Sequence, residues 1–327
     1  MSAVMEYSTG IDASALNEIG QGGEGRVFEF IDQPETIYKE FHFSRQHPPN
    51  LHALKQLVAL PESCSEPERA YIESRTVWPR TVVTDHGRAR GYLMRRIPDR
   101  FFRQHGLKNR PMNILCAWDY LSMRNSYISN PRLCSEIPQP SAVQITDLIV
   151  DLANTVSLLH RHDVVIGDIS GRNLAWTDQP TWHVLLIDCD SFRVRGSGSV
   201  NYPKQTPEWE DPAVQNSRTN QQSDIYKLGI AAYRAVWAAT VQQPPNDLAS
   251  RPPPQGVPAA LPSLVARSTG ARGRPSAAEW VQGLTGPSTP EPALTAPSRN
   301  KPATRKQLAT EEPKRPTIQM RSTTPNN

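Results

Sequence analysis

Apolar and polar residues in the first hundred positions follow the pattern of short β-strands separated by turns. Apolar runs flank the glycine cluster at 20–25, which predicts strand, tight turn, strand, turn and strand over residues 11–43. Two further apolar runs over 77–97 enclose the polar turn at 85–87 and predict a β-hairpin. This part of the chain therefore reads as a small, mostly β unit.

One helix interrupts these strands. Leucines at helical spacing predict a helix over 51–60, and Pro61 ends it because proline cannot continue a helix. The following segment, 62–76, is charged and shows no clear period, so it is interpreted as irregular.

From about residue 98 onward, apolar residues recur mainly at helical spacing. Helices are predicted over 111–127, 143–162 and 222–239, and a final helical piece over 275–284. The second of these helices has one apolar stripe, formed by Ile145, Leu148, Ile149, Leu152, Val156 and Leu159. The chain thus changes from strands to helices, and no internal repeat is visible.

The last segment, 285–327, has a different composition. It contains prolines and many Ser and Thr residues but no aromatic residue, so it cannot bury enough apolar surface to offset its ordering entropy and is predicted to be disordered. The whole chain has a net charge of +4, and the excess of basic residues lies in this segment. The rest of the chain, 1–284, is therefore neutral, which argues against nucleic acid as its substrate. Two interpretations of the tail stay open, a solvated linker or phosphoacceptor and a weak, salt-dependent polyanion site.

Several protein classes are not indicated. No apolar stretch reaches the length of a membrane span, and the first residues lack the pattern of a signal peptide. The four cysteines include no CxxC pair, so neither a zinc site nor a disulfide framework is expected. We therefore expect a cytoplasmic protein with reduced thiols.

The first candidate for chemistry is the glycine pattern Gly20-x-Gly22-x-x-Gly25-x-Val27. Glycines allow a tight turn and let backbone N–H groups approach a polyphosphate. A dinucleotide fingerprint needs a helix after the glycines, whereas a strand-like run follows here, with Lys39 on the next one. That context favours a lid over a nucleoside triphosphate, and a surface turn without a ligand is the alternative.

The second candidate is the pair Asp168 and Asn173, five positions apart and directly after the 143–162 helix. An aspartate can orient a hydroxyl and accept its proton, and an asparagine oxygen can bind a divalent metal. An aspartate-capped loop without chemistry is the alternative interpretation.

The third candidate is the acidic pair Asp188 and Asp190, which ends the apolar run at 183–187. Asp188 could hold a metal that bridges phosphates, and Asp190 could share that work. Two solvated loop acids are the alternative.

Taken in order, these residues resemble the signature set of protein kinases. The run LLHRHDVVIGDISGRNL is similar to the kinase catalytic loop, and the helix that contains Asp224 is similar to the buried helix beneath that loop. ARGRPSAAEW resembles the motif that closes the helical lobe. The resemblance implies an α+β, bilobal kinase-like fold with a small β-rich N-lobe, a larger helical C-lobe and a disordered tail. The implied boundaries are 12–98, 99–284 and 285–327.

The motifs Ile166-Gly167-Asp168 and Ile187-Asp188-Cys189-Asp190-Ser191-Phe192 are similar to those of a divergent bacterial branch of kinase-like proteins. Members of this branch are often encoded with a metal-dependent protein phosphatase or a von Willebrand-type domain protein. The resemblance therefore implies a protein substrate and a partner of one of these two kinds.

The resemblance also implies roles for individual residues. Asp168 would orient the substrate hydroxyl, and Lys39 would pair with the α- and β-phosphates of ATP. The glycine loop would cover the phosphates, a hinge at the end of the strand-like run at 91–97 would hold adenine, and two residues would bind Mg²⁺. The loop residues are Gly20, Gly22, Gly25 and Val27, the hinge residues are Met94, Arg95 and Arg96, and the metal ligands are Asn173 and Asp188.

The catalytic loop departs from the kinase pattern in two ways. Ile166 and Gly167 replace a His-Arg pair whose arginine normally reads a phosphorylated activation loop, which argues against such control here. Ser170 replaces a lysine that helps to neutralise the transferred phosphoryl group. Either Arg172 substitutes for that lysine or activity is low.

Two ion pairs of the kinase pattern also lack a partner. The 51–60 helix has no glutamate for Lys39, and the candidates beyond it are Glu66, Glu68 and Glu73. Ala213 stands where an activation segment usually ends in glutamate, so Arg274 needs another partner, for which Glu210 is the candidate.

The sequence therefore predicts an ATP- and Mg²⁺-dependent serine/threonine protein kinase. A pseudokinase that acts as a nucleotide-binding scaffold is the alternative, followed by a small-molecule kinase. Thr206 is the clearest phosphoacceptor in the segment between Asp188 and Pro212.

Overall fold

The computed structural model describes residues 6–7, 11–23, 25–42, 48–128, 130, 132–202, 205–214 and 219–286. The segment predicted to be disordered, 285–327, lies outside these residues from position 287 onward.

The first part of the chain forms a six-stranded sheet in the order β1-β5-β6-β4-β3-β2. Its strands are β1 (Glu6–Tyr7), β2 (Leu16–Gln21), β3 (Gly25–Phe30), β4 (Gln33–Phe41), β5 (Thr81–Asp85) and β6 (Arg88–Arg95). The strands predicted over 11–43 and the predicted hairpin over 77–97 are confirmed. The hairpin turns at His86 and Gly87, whose φ angles of 48° and 72° are those of a tight two-residue turn.

Two helices follow β4. Helix α1 (Leu51–Ala59) confirms the predicted helix; Asn50 caps it by accepting a hydrogen bond from the backbone N–H of Ala53. Helix α2 (Glu66–Arg75) lies where the sequence was interpreted as irregular, so that interpretation was wrong. A capping box formed by Ser65 and Glu68 starts α2, and its polar composition hid it from a search for apolar periodicity.

A second sheet, in the order β8-β7-β9, follows the first. Its strands are β7 (Phe102–Leu107), β8 (Arg110–Leu115) and β9 (Leu133–Ser135), and two short helices, α3 (Asp119–Ser122) and α4 (Arg124–Ile128), lie between β8 and β9. The helix predicted over 111–127 was therefore wrong in its first third and broken in the remainder. Strand β8 pairs along its whole length with β7, and this tertiary pairing decides a segment whose apolar spacing fitted a helix.

Four helices form most of the remaining body. They are α5 (Ala142–Arg161), α6 (Gln221–Trp237), α7 (Leu261–Thr269) and α8 (Ala277–Thr285). Helices α5, α6 and α8 confirm three predicted helices, and the predicted stripe of α5 is buried in full. Helix α7 was missed because prolines surround and start it. By length and hydropathy α5 could also cross a membrane, but 56% of its apolar window is buried within the protein, as in a core helix.

Two small two-stranded sheets hold the two loops that carry Asp168, Asn173 and Asp188. One pairs β10 (Val164–Val165) with β13 (Arg193–Val194), and the other pairs β11 (Leu174–Thr177) with β12 (His183–Leu186). The loop at 166–173 runs from β10 to β11, and the loop at 187–192 runs from β12 to β13. The protein is thus a mixed α/β structure of small sheets and helices, which is compatible with a bilobal kinase-like fold.

Candidate active site

Asp168 and Asn173 lie in one tight loop between β10 and β11. The side-chain amide of Asn173 donates one hydrogen bond to the backbone oxygen of Asp168 and another to its Oδ2, both at 2.9 Å. Because both donations come from the amide nitrogen, the amide oxygen of Asn173 is left as the atom that can bind a cation.

Asp224 of α6 holds this loop from below. Its side chain has 0% exposure and accepts hydrogen bonds from the backbone N–H groups of Ile166 (2.9 Å) and Gly167 (2.8 Å). His160, at the end of α5, lies 3.0 Å from the same carboxylate. Gly167 has a φ of +81°, and a Cβ there would lie 3.2 Å from the hydroxyl of Thr219. The loop therefore requires glycine at the position where the kinase pattern has arginine.

A buried lysine that sequence reasoning missed supports the same loop. The Nζ of Lys227, on α6, donates to the backbone oxygen of Gly167 at 2.6 Å and lies 3.5 Å from Oδ1 of Asp168. Burial lowers the pKa of Lys227, and the charges of Asp168 and Asp224 oppose that shift. A lysine one turn after Asp224 inside an apolar helix was the available signal.

Among the residues that the structure describes, Lys227 and not Arg172 is thus the cation that lies beside Asp168. Arg172 is exposed, and its charge acts on Asp119, whose pKa is raised by burial and lowered by Arg172. Ser170, at the position of the expected lysine, is buried, and its hydroxyl makes no hydrogen bond within the part of the chain that the structure describes.

Lys39 joins the first sheet to the metal-loop candidates. Its Nζ lies 3.2 Å from Oδ1 of Asp188 and 2.8 Å from Oδ1 of Asp190. The glutamates proposed as its partner all lie on α2 and pair with other residues, so that expectation was wrong. Glu66 pairs with Arg69, Glu68 with Ser65, Arg161 and His162, and Glu73 with Arg80.

Asp188 and Asp190 differ in their exposure. The Asp188 side chain is 49% exposed, whereas the Asp190 side chain has 0% exposure. Both residues border a cavity with Asp168 and Asn173. The other residues around it are Gly167, Ser191, Arg193, Ser199, Asn201, Tyr202 and Thr219. Asp168, Asn173 and Asp188, three of the four residues expected to do chemistry, therefore border one cavity. The fourth, Lys39, pairs with Asp188 and Asp190, which both border it.

The donors around this cavity suit Mg²⁺. Carboxylate and amide oxygens, from Asp188 and Asn173, are the hard ligands that this ion prefers, and it commonly takes only one or two from protein beside phosphates. No cluster of three or more His, Cys, Asp or Glu side chains fit to hold a metal was found in the described residues. A site completed by a bound phosphate agrees with both facts.

The glycine loop divides into two kinds of position. Gly20 and Val27 are cross-strand partners on β2 and β3, and Val27 in turn faces Lys39 on β4, so the three lie in one row across the sheet. A Cβ at Gly22 would meet no atom within 4 Å, whereas a Cβ at Gly25 would lie 2.1 Å from the backbone oxygen of Glu40. Gly25 is thus required by strand packing, whereas Gly22 faces open space, which fits both a ligand-facing turn and a surface turn without a ligand.

This difference predicts opposite effects on stability for two equal substitutions. We expect Gly25→Ala to lower the free energy of unfolding by about 1–3 kcal/mol, because strands β3 and β4 must separate. Gly22→Ala, the matched control, should change it by less than about 0.5 kcal/mol. Urea unfolding of both variants measures the difference, and equal effects would contradict the steric explanation.

The residues expected at the hinge make other contacts. Arg95 donates to the backbone oxygen of Thr76, and Arg96 pairs with Glu29 on β3 at 2.5 Å. Met94 packs against the core. These three side chains therefore contact other parts of the protein, and a role for the residues in adenine binding stays a prediction.

The segment before α6 is fixed at two points. Thr206, predicted as a phosphoacceptor, donates its hydroxyl to both carboxylate oxygens of Asp168 at 3.1 and 3.0 Å. Arg274 pairs with Asp211, whose side chain is fully buried, and not with Glu210 as expected. The missing glutamate at 213 is thus replaced by a carboxylate two residues earlier in the chain.

No family model matches the chain. Among curated proteins, it is 23% identical over 211 residues to "Protein kinase YegI" of Escherichia coli O157:H7, which covers 62% of this chain and 27% of that protein. It is 24% identical over 204 residues to the protein of the same name from strain K12, with coverage of 59% and 26%. The chain thus matches about a quarter of the length of these relatives. The similarity is weak and indicates a kinase-like family.

Proposed function

We propose that this protein is an ATP- and Mg²⁺-dependent serine/threonine protein kinase. The observation that carries the proposal is the convergence of Asp168, Asn173 and Asp188 on one cavity, with Lys39 beside it. The weak similarity to proteins named as protein kinases supports the same conclusion.

Asp168 would orient the acceptor hydroxyl and take its proton. The hydroxyl of Thr206 already donates to this carboxylate at 3.0 Å, so an O–H group can approach it in the required way. Lys227, whose Nζ lies 3.5 Å from Oδ1 of Asp168, would help to hold this carboxylate in position.

Asn173 and Asp188 would hold Mg²⁺, and Lys39 would contact the phosphates of ATP. Bound Mg²⁺ would neutralise charge on the phosphates during transfer. Position and charge would thus supply most of the catalysis, as is usual in phosphoryl transfer.

A pseudokinase, acting as a nucleotide-binding scaffold, is the second candidate. Its specific support is Ser170, a buried serine where a kinase has the lysine that neutralises the transferred group. The resemblance further leads us to propose lobes at 12–98 and 99–284, a basic extension at 285–327, and a cytoplasmic location. A metal-dependent phosphatase or a von Willebrand-type domain protein is the proposed partner.

Radiolabelled ATP tests these alternatives. The purified chain is incubated with [γ-³²P]ATP and Mg²⁺, alone and with casein or histone, beside Asp188→Asn and a sample with EDTA. We expect label on serine or threonine in the wild type and only background in both controls. Background label in all samples would contradict a kinase, and calorimetric binding of ATP in the same preparation would then favour the scaffold.

A further inference from the structure

The carboxylate of Asp190 accepts hydrogen bonds from three separate parts of the chain. Its Oδ1 accepts hydrogen bonds from Nζ of Lys39 and from the hydroxyl of Tyr92, both at 2.8 Å. Its Oδ2 accepts one from the side-chain amide of Asn201 at 2.9 Å. The side chain has 0% exposure. Because a buried carboxylate is stable only when its charge is compensated, this arrangement fixes all three donors.

The sheet brings two of these donors together. Lys39 on β4 and Tyr92 on β6 are direct cross-strand partners, so their side chains leave the same face of the sheet side by side. Tyr92 is itself fully buried, and burial followed by the charge of Asp190 raises the pKa of its hydroxyl. Tyr92 therefore stays a neutral donor at physiological pH.

Helix α1 supplies no alternative carboxylate. It has no acidic residue in its sequence LHALKQLVA, and the acidic side chains of α2 pair within α2 and with neighbouring basic residues. Among the described residues, the carboxylates in contact with the ammonium group of Lys39 both come from the loop that follows β12.

We propose that Asp190 is the positioning residue that holds Lys39 for the phosphates of a nucleotide. The proposal deepens the proposed kinase function and rests on it. Asp190 is two residues from Asp188, within one turn of 3₁₀ helix at Cys189–Ser191. One loop therefore supplies both the carboxylate proposed to bind metal and the buried carboxylate that pairs with Lys39, and α1 contributes no acidic residue to this pair.

Asp190→Asn tests this placement with two measurements that need no phosphotransfer. The first is the ATP dissociation constant in the presence of Mg²⁺, by isothermal titration calorimetry. The second is the rate at which an acylating reagent modifies Lys39 in the nucleotide-free protein, by mass spectrometry. We expect each to rise about tenfold, the effect of losing one charge-assisted hydrogen bond. Tyr92→Phe removes only one hydroxyl and should raise each about threefold.

Asp151 offers a matched control within the same protein. It accepts hydrogen bonds from Nε of Arg75 at 2.9 Å, from the hydroxyl of Tyr71 at 3.3 Å and from the backbone N–H of Val184 at 2.9 Å. Asp151→Asn therefore removes the charge of a different carboxylate that has similar donors. Tyr71→Phe removes a tyrosine hydroxyl that donates to that carboxylate. Both variants should leave ATP affinity and the labelling of Lys39 unchanged, even where they lower the melting temperature.

The outcomes separate this proposal from the proposed function. Unchanged labelling and ATP affinity in folded Asp190→Asn would overturn the role of Asp190, and phosphotransfer by the wild type would still support a kinase. If the wild type binds no ATP, the kinase proposal fails. The labelling of Lys39 then decides alone whether Asp190 anchors it. Equal changes in the Asp151 and Asp190 variants would show general destabilisation and also overturn the proposal.

Discussion

Asp168→Asn is expected to lower phosphotransfer by about 10²- to 10⁴-fold, the contribution of a positioned general base. An amide has nearly the same shape as the carboxylate. The side-chain oxygen of the new asparagine can therefore still accept a hydrogen bond from Asn173, and the loop should keep its conformation. The amide cannot take a proton from the acceptor hydroxyl. The affinity for ATP, measured by calorimetry, should change much less than the rate of transfer to a protein acceptor.

Asp163→Asn is the matched control for this prediction. Asp163 lies five residues earlier, has a side chain that is 56% exposed and pairs at the surface with Arg195 at 3.4 Å. Asparagine also tolerates its φ of 56°. We expect the control to transfer phosphate at the wild-type rate. Equal rates for Asp168→Asn and the wild type would remove Asp168 from the mechanism.

Local pattern was sufficient for most elements of the fold. The apolar stripe of α5 and the polar turn at 85–87 each determine their own element, because burial of one helix face or formation of a tight turn is a local requirement. It was insufficient for α2, which is polar, and for β8, whose partner strand decides its conformation.

The spacing of the motifs was sufficient to predict that some residues of the candidate site lie close together. Asp168 and Asn173 share one loop and Asp188 borders the same cavity, as their order in the chain indicated. Their roles, like those of the hinge residues, stay predictions.

The charge partners could not be predicted, and the physical reason is common to all of them. An ion pair requires only that two charges meet in space, and a carboxylate from any element that reaches the cation can meet this requirement. Lys39 thus pairs with Asp190, 151 residues away, instead of a glutamate on the helix after β4. Arg274 similarly pairs with Asp211 in place of a side chain at 213.

Asp224→Ala is expected to lower the free energy of unfolding by about 3–5 kcal/mol, the usual effect of breaking a buried charged network. The substitution leaves the backbone N–H groups of Ile166 and Gly167 without their acceptor in a site closed to water. It also removes one of the carboxylates whose charges stabilise the ammonium group of Lys227. Urea unfolding, followed by circular dichroism, measures the loss.

The same experiment distinguishes a network from a sum of separate contacts. Asp147→Ala, which removes an exposed carboxylate from α5, should change stability by less than about 0.5 kcal/mol. Lys227→Met removes the buried charge. In the double variant with Asp224→Ala it should therefore destabilise less than it does alone, with a coupling of about 0.5–3 kcal/mol. Strict additivity, or a loss below about 1 kcal/mol for Asp224→Ala, would show that α6 does not support the loop through these charges. The observed coupling would instead mean that Asp224 and Lys227 act as one unit, which holds the backbone of Gly167 from both its N–H and its C=O side.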